Sequence, residues 1–476
     1  MTQPRSSGPR RCAWIIAVAV LMGLAACSVG PAYRRPQTAL PGSWSTAIPG
    51  ASASWPAAQW WRAFGSATLD GYIAQARSGS DDIAAAIARV READAQARIA
   101  GAALMPAVGL GASVIRERTH SLGGGAGLSA TQFSPQLSAS YELDFWGRNR
   151  SLRNAALLSA QSSRFDQQTV TLAVISGVAQ SYFQALEMHD RLQVANDDLA
   201  NAQHILAGLT LEQQVGTATA LDVAQQAAVV AVVNASIPPL QEQLQQSLDA
   251  LAVLLGRTPE TLALGGGGLS EVKTPPVIAG LPSELLSRRP DVAQAEAQLH
   301  AANANIVAAR AAFFPSVDLT GSGGYASAVL GTLLSPASRV FTVTAALSET
   351  IFEGGARRGQ YRYSQARYAE LLSDYHKTVL TAFSDVENAL IAVQQTTEQQ
   401  RRQQDAADKA SRAFNFAQMQ MAAGTTSILT ELNTETTLFT AQDQLVQVKY
   451  QHLQALVALY QALGGGWQRR AGTAQP

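Results

Sequence analysis

No proline interrupts the chain between Ser151 and Ala207. At 1.5 Å per residue, one helix over that span would rise roughly 85 Å. Helices in globular proteins average about 11–12 residues, so no single compact core can cover such a rod. The residues that feed it are equally constraining. Odd positions from Phe133 to Phe145 are apolar, including Leu137, Tyr141 and Leu143, while even positions from Ser134 to Asp144 are polar. This is a period-2 strand with one apolar and one polar face. A soluble antiparallel sheet could carry the same alternation. A membrane-length strand that runs through Trp146-Gly147 into a very long helix instead predicts a barrel standing on a helical stalk.

The chain then repeats itself. ALMPAVGLGAS around Pro106 returns as AFFPSVDLTGS around Pro315, and Gly147, Gly216 and Gly256 return 208 positions on as Gly355, Gly424 and Gly464. Matches in so constant a register mark a tandem duplication. The reading is a first repeat over 67–256, with strands about 106–116 and 133–146. A linker, 257–282, contains four consecutive glycines, and a second repeat covers 283–466 with strands about 315–325 and 339–352; a tail, 467–476, follows. In each repeat a long helix turns at a glycine and returns. Pro238-Pro239 predict that the first return is two shorter helices, because two prolines break a helix interior. Trp60-Trp61 and Phe64 read as packing anchors.

The amino terminus reads as an address. Arg5, Arg10 and Arg11 precede the apolar run Ala13 to Ala26, giving a signal peptide over 1–26. Leu24-Ala25-Ala26 then sets small residues before Cys27. The plain alternative is a signal peptide with a chance cysteine. Cleavage would remove Cys12 and leave Cys27 alone, with no intramolecular disulfide. The segment 27–66 begins as an extended tether rich in Pro, Ala and Ser. No run of 18 apolar residues follows, so any membrane crossing falls to strands.

Charge and motifs exclude several function classes. The 35 basic and 35 acidic residues balance, and no basic stripe with interleaved aromatics suggests nucleic acid. The six histidines are scattered without a metal-ligand spacing, and no GxSxG, Walker A or GxGxxG motif is present. No catalytic residue, cofactor site or metal site is expected.

Four strands cannot close a barrel, since single-chain barrels start at eight, and an open edge in lipid leaves backbone groups without partners. Two chains would give eight strands, and three would give twelve and a lumen. The expected fold is an α+β membrane protein. Leu137, Tyr141, Leu143, Phe341, Val343 and Leu347 are expected to face lipid or a strand neighbour. Ser138, Glu142, Asp144, Thr342 and Thr344 are expected to face the lumen. Two rival functions fit part of the pattern. A general-diffusion porin leaves the long helices without a role, and a structural periplasmic coiled coil leaves the strands unexplained.

YELDFWGR at Tyr141 to Arg148, VGTATALDV at Val215 to Val223, RRPDV at Arg288 to Val292 and ALGGGW at Ala462 to Trp467 carry a resemblance that spans nearly the whole chain. Together with Cys27, Trp60-Trp61, IPPL at Ile237 to Leu240 and LFTAQDQL at Leu438 to Leu445, they resemble the TolC-like outer membrane efflux factors, in the lipidated branch with NodT- and OprM-like proteins. The resemblance implies a homotrimer with a shared twelve-stranded outer-membrane barrel continuous with a periplasmic helical barrel. It implies a lipid anchor on Cys27, since LAAC is similar to a lipobox and Ser28 is not the aspartate of inner-membrane retention. It further implies a passive exit duct for small molecules such as drugs, docked through a periplasmic adaptor to an inner-membrane pump of the RND type.

Both helical hairpins turn at glycines, Gly216 and Gly424, which is where the family's periplasmic gate lies. Family members often carry two aspartates just after the second turn, and this chain has Thr430 and Asn433 there. Glu431 sits beside the first, and Asp222 occupies the equivalent position after the first turn. These acids either ring the mouth or are solvated helix-face charges. Packing near Ile428, Leu429 and Leu432 is expected to make the constriction.

Overall fold

The computed structural model describes residues 29–37, 41–46, 48, 52, 54–119 and 128–469. The signal segment 1–26, Cys27 and the end of the tail lie outside the described residues. Two compact units divide the chain, and both helical repeats pass through each of them.

The duplication is visible in element lengths. Helices α1 (Ala67–Gly79) and α2 (Asp81–Ala102) precede strands β1 (Ala107–Thr119) and β2 (Leu128–Glu142). Helices α3 (Arg148–Gln214) and α4 (Ala220–Leu254) follow. The second copy runs α5 (Pro290–Ala311), β3 (Ser316–Tyr325), β4 (Arg339–Ser348), α6 (Ala356–Ala422) and α7 (Ile428–Ala462). Helices α3 and α6 both have 67 residues, α4 and α7 both 35, and α2 and α5 both 22.

The first unit comprises Arg89–Ser163 and Ala295–Tyr375 with residues up to Gln37. Its sheet is antiparallel in the order β1-β2-β3-β4. The β1–β2 ladder continues from Val114↔Phe133 out to Thr119↔Leu128, past the apolar alternation that suggested shorter strands. At the other end β2 stops at Glu142 rather than 146, and β4 at Ser348 rather than 352. The residues beyond are used as helix caps. Asp144 accepts from the backbone N–H of Asn149 at 3.1 Å and of Arg150 at 2.8 Å, and Glu353 accepts from Arg357 N–H at 2.9 Å. Carboxylates there satisfy orphan donors and complement the helix dipole. Trp146 stacks on Phe314 with centroids 4.7 Å apart and donates Nε1–H to Pro315 O at 2.8 Å, which ties the two copies' strand ends together. The amino-terminal segment lies along α5: Tyr33 stacks on His300 at 4.2 Å and Arg35 pairs with Glu296 at 3.2 Å.

The second unit holds residues Arg164–Gln294 and His376–Pro476 with Thr38–Ala88. Trp60, Trp61 and Phe64 are buried, and Trp60 stacks on Tyr460 at 5.2 Å, so these anchors build its aromatic core. The glycine-rich segment expected as a linker folds onto this unit, burying Leu262 and Leu269. Two repeat-related glycines make its closest backbone contacts. Gly256 (φ +69°) would place a Cβ 2.0 Å from Gly79 O, and Gly464 (φ +82°) would place one 2.0 Å from Arg288 O.

The expected break in the first returning helix is absent. Pro238 and Pro239 sit inside a continuous α4. Both prolines are exposed, while Ile237 and Leu240 beside them are buried against Met188 and Ala195. Tertiary packing on the inner face therefore holds the helix through the lost hydrogen bonds, and exposure lets water satisfy the freed carbonyls. Helix α4 departs from expectation in a second way. By length and composition it could cross a membrane, with a window of mean hydropathy 1.4 of which 17% is buried within the chain. Alanine and valine between Asp222 and Glu242 make it apolar without a continuous apolar run.

Candidate functional site

Directly paired residues in an antiparallel sheet share a face, so the register sorts the first unit's strands without ambiguity. One face carries the rows Leu110–Leu137–Gly323–Phe341 and Val108–Ala139–Gly321–Val343. Tyr141, Leu319 and Leu347 lie on the same side. The opposite face carries Ser138–Ser322–Thr342 and Ser140–Thr320–Thr344, with Glu142 opposite Asp318. Of the residues expected on the polar face, Ser138, Glu142, Thr342 and Thr344 therefore come together. Asp144 does not. It lies past the end of β2 and serves the α3 N-terminus, where Arg150 Nε also meets it at 3.2 Å. Leu143 likewise leaves the ladder, keeping one backbone bond to Val317 O at 2.8 Å.

Among the described residues the apolar face is left open in the single chain: Leu110 is 82% exposed and Phe341 85%. The two outer strands, β1 and β4, each have one unpaired edge in the described sheet. An apolar surface of this extent marks a lipid or protein contact, and open edges of this length demand partners.

At the turns of the second unit, Gly216 (φ +86°) and Gly424 (φ +69°) adopt left-handed backbone with nothing within 4 Å of where a Cβ would sit. The turns are built alike: Thr217 N–H donates to Glu212 O and Thr425 N–H to Gln420 O, each at 2.9 Å. Asp222 forms a capping box with Thr219, accepting from its backbone N–H at 2.8 Å and its hydroxyl at 2.7 Å. Those hydrogen bonds hold its carboxyl below the usual range. The spacing Thr219-x-x-Asp222 was a readable capping signature.

The second turn differs. Thr430 and Asn433 are exposed, but Glu431 is buried. Burial, with Glu212 nearby, raises the Glu431 carboxyl. One turn further on, Glu435 is only 1% exposed, a residue that helix-face reasoning passed over. Leu432 is buried beside it, while Leu429 is half exposed. The signal that could have found Glu435 is the absence of lysine and arginine from positions 413–448.

A family model described as outer membrane efflux protein matches residues 72–257 and 281–465. The pyoverdine export outer membrane protein OpmQ of Pseudomonas aeruginosa is 40% identical over 462 residues, covering 95% of this chain and 96% of the relative. The cation efflux system protein CusC of Escherichia coli O6:H1 is 32% identical over 459 residues, covering 94% and 98%. Among solved structures, the outer-membrane channel OprN superposes with a TM-score of 0.87 at 28% identity, covering 93% of this chain and all of that one. The open state of the Neisseria gonorrhoeae MtrE outer membrane channel gives 0.82 at 27% identity, covering 94% and 100%.

Proposed function

Because this chain belongs to the outer membrane efflux protein family and is an outer-membrane exit duct of an efflux system, we propose that three copies build one duct and that no catalysis is involved. The observation that supports this is the four-stranded sheet with one apolar face, one polar face and two open edges. Pairing β4 of one copy with β1 of the next removes every edge, as lipid requires, and twelve strands leave a water-filled interior. The apolar face then meets lipid, while Ser138, Glu142, Thr342 and Thr344 line the lumen. The repeats over 67–256 and 283–466 supply one hairpin each.

In the same reading Cys27 is the lipidated first residue of the mature protein, cleaved from the signal segment 1–26. A periplasmic adaptor and an inner-membrane pump of the RND type complete the system, and the pump supplies its energy. The turns at Gly216 and Gly424 form the periplasmic mouth. There the constriction rests on packing around Ile428, Leu429 and Leu432, with Asp222 and Glu431 near it and Thr430 and Asn433 as its polar surface.

The test is a planar-bilayer recording of the purified protein, combined with cysteine labelling from the aqueous side. Single channels should form, and a membrane-impermeant reagent should modify cysteines at Ser138, Thr342 and Thr344. It should spare those at Leu137, Phe341 and Val343, because a period-2 strand separates the sets completely. Equal labelling of both sets would remove the barrel. A single acyl chain is only a marginal anchor. Cys27→Ser behind a cleavable signal should therefore still fractionate with the outer membrane, and a wholly soluble product would show that the strands do not hold it there.

A further inference from the structure

The hairpins of the second unit gather acids on stretches that carry no base of their own. Six acidic residues lie between positions 192 and 256 and three between 413 and 448, and neither stretch contains a lysine or arginine. Some of these acids are drawn inside. Glu435 and Glu431 of α7 are 1% and 7% exposed, and Asp198 of α3 is half-buried. Asn201 of α3 donates its amide to Glu435 Oε1 at 3.0 Å, but Glu435 Oε2 has no partner. Gln226 of α4 is fully buried. It donates to Ala202 O at 2.8 Å, and its Oε1 also has no partner.

The groups that act on Glu435 are Asp198 and Asn201 from α3, Gln226 from α4 and Glu431 from its own helix. Glu431 in turn feels Glu212 of α3. Every charge in this set is negative. His204 of α3 is exposed, and Arg191, next along α3, is held by Glu187 at 3.5 Å and Asp443 at 2.6 Å. Two buried acceptors without a donor are costly, and an ionised carboxylate without a cation costs more. One proton on Glu435 removes the charge and supplies an O–H donor beside an acceptor that has none.

We propose that Glu435, with Asp198 and Glu431, is a proton-binding latch that holds α3, α4 and α7 together when protonated and loosens their packing when ionised. The proposal rests on the reading of these turns as the mouth of the duct. Burial pushes Glu435 up to about 7, with Asp198 adding to it, and pushes Asp198 up to about 6. A carboxyl raised in the packed form favours that form fully below the ordinary carboxylate range. The advantage is lost as pH rises towards about 7. Acid therefore closes the mouth and neutral pH relaxes it. Asp222 cannot give this response, because its capping bonds lower its pKa.

The experiment uses the purified full-length protein. Infrared titration should show a protonated-carboxyl C=O band that is present near neutral pH and is lost by about pH 8. Glu435→Gln, which is neutral and the same shape, should remove the Glu435 share of that band and leave that of Glu187, whose carboxyl burial also pushes up to about 7. In planar bilayers the fraction of time spent open should rise at least about tenfold from about pH 5 to about pH 8, the factor given by one pKa unit of differential proton affinity. Glu435→Gln should stay closed across the range, and Glu242→Gln, an exposed acid of α4 away from the turns, should respond as the parent does. A band undiminished by Glu435→Gln, or a pH response of the open fraction identical in that variant, would overturn the latch. Failure to form channels at any pH would instead overturn the duct reading, and the infrared titration would still report on Glu435.

Discussion

Gly256→Ala is expected to destabilise the protein by about 2–5 kcal/mol, and Gly464→Ala by a similar amount. Part of the cost is the left-handed backbone, about 1–2 kcal/mol for a residue with a Cβ. The rest is overpacking, about 1–3 kcal/mol, because the atom in the way is a backbone carbonyl 2.0 Å off, Gly79 O in one case and Arg288 O in the other. A side chain could swing aside; a carbonyl fixed at a helix end cannot. Gly216→Ala and Gly424→Ala are the internal controls. They carry the same backbone strain in open space and should cost only about 1–2 kcal/mol. The measurement is the heat-inactivation half-life of the assembled protein, which is suited to irreversible unfolding. Equal half-lives in the two pairs would mean that the close contacts at Gly79 and Arg288 do not constrain the fold.

Val343→Arg is expected to prevent stable insertion, whereas Thr342→Arg should be tolerated and should change conductance instead. Val343 lies mid-strand on the apolar face, opposite Gly321, and is 81% exposed in the single chain. Arginine at the middle of a lipid-facing strand costs about 2–4 kcal/mol, and the proposed trimer would meet that cost three times. Thr342 is one residue away on the polar face, where a charge stays in water and alters ion passage. Outer-membrane yield and single-channel conductance measure the two effects. If the two variants exchanged phenotypes, the sheet would be facing the other way.

Much of the fold was legible because it rests on periodicities that need only local sequence. The alternation through Leu137 and Ser138 gave β2 and its two faces, and the proline-free runs gave the 67-residue helices. What stayed hidden depended on neighbours distant in sequence. Asp144 has the polarity of a strand residue, and only the place where the chain turns makes it a cap. The prolines of α4 would end an isolated helix, but Ile237 and Leu240 are fastened to α3 by Met188 and Ala195. Glu431 and Glu435 look like ordinary helix-face charges until α3 and α4 close over them. The candidate site divides in the same way: its faces followed from spacing, and its buried acids from packing.

The open edges of β1 and β4 also have a genetic consequence. In the proposed ring, a subunit whose β4 cannot pair can still offer its β1 to a neighbour, so it would be recruited and then leave the ring unclosed. If three copies assemble at random from equal amounts of sound and defective chains, only about one ring in eight is wholly sound. Alleles that damage one edge should therefore be dominant over the wild type. Alleles that unfold the whole chain never reach assembly and should be recessive, so a merodiploid cross could sort edge lesions from folding lesions before any protein is purified.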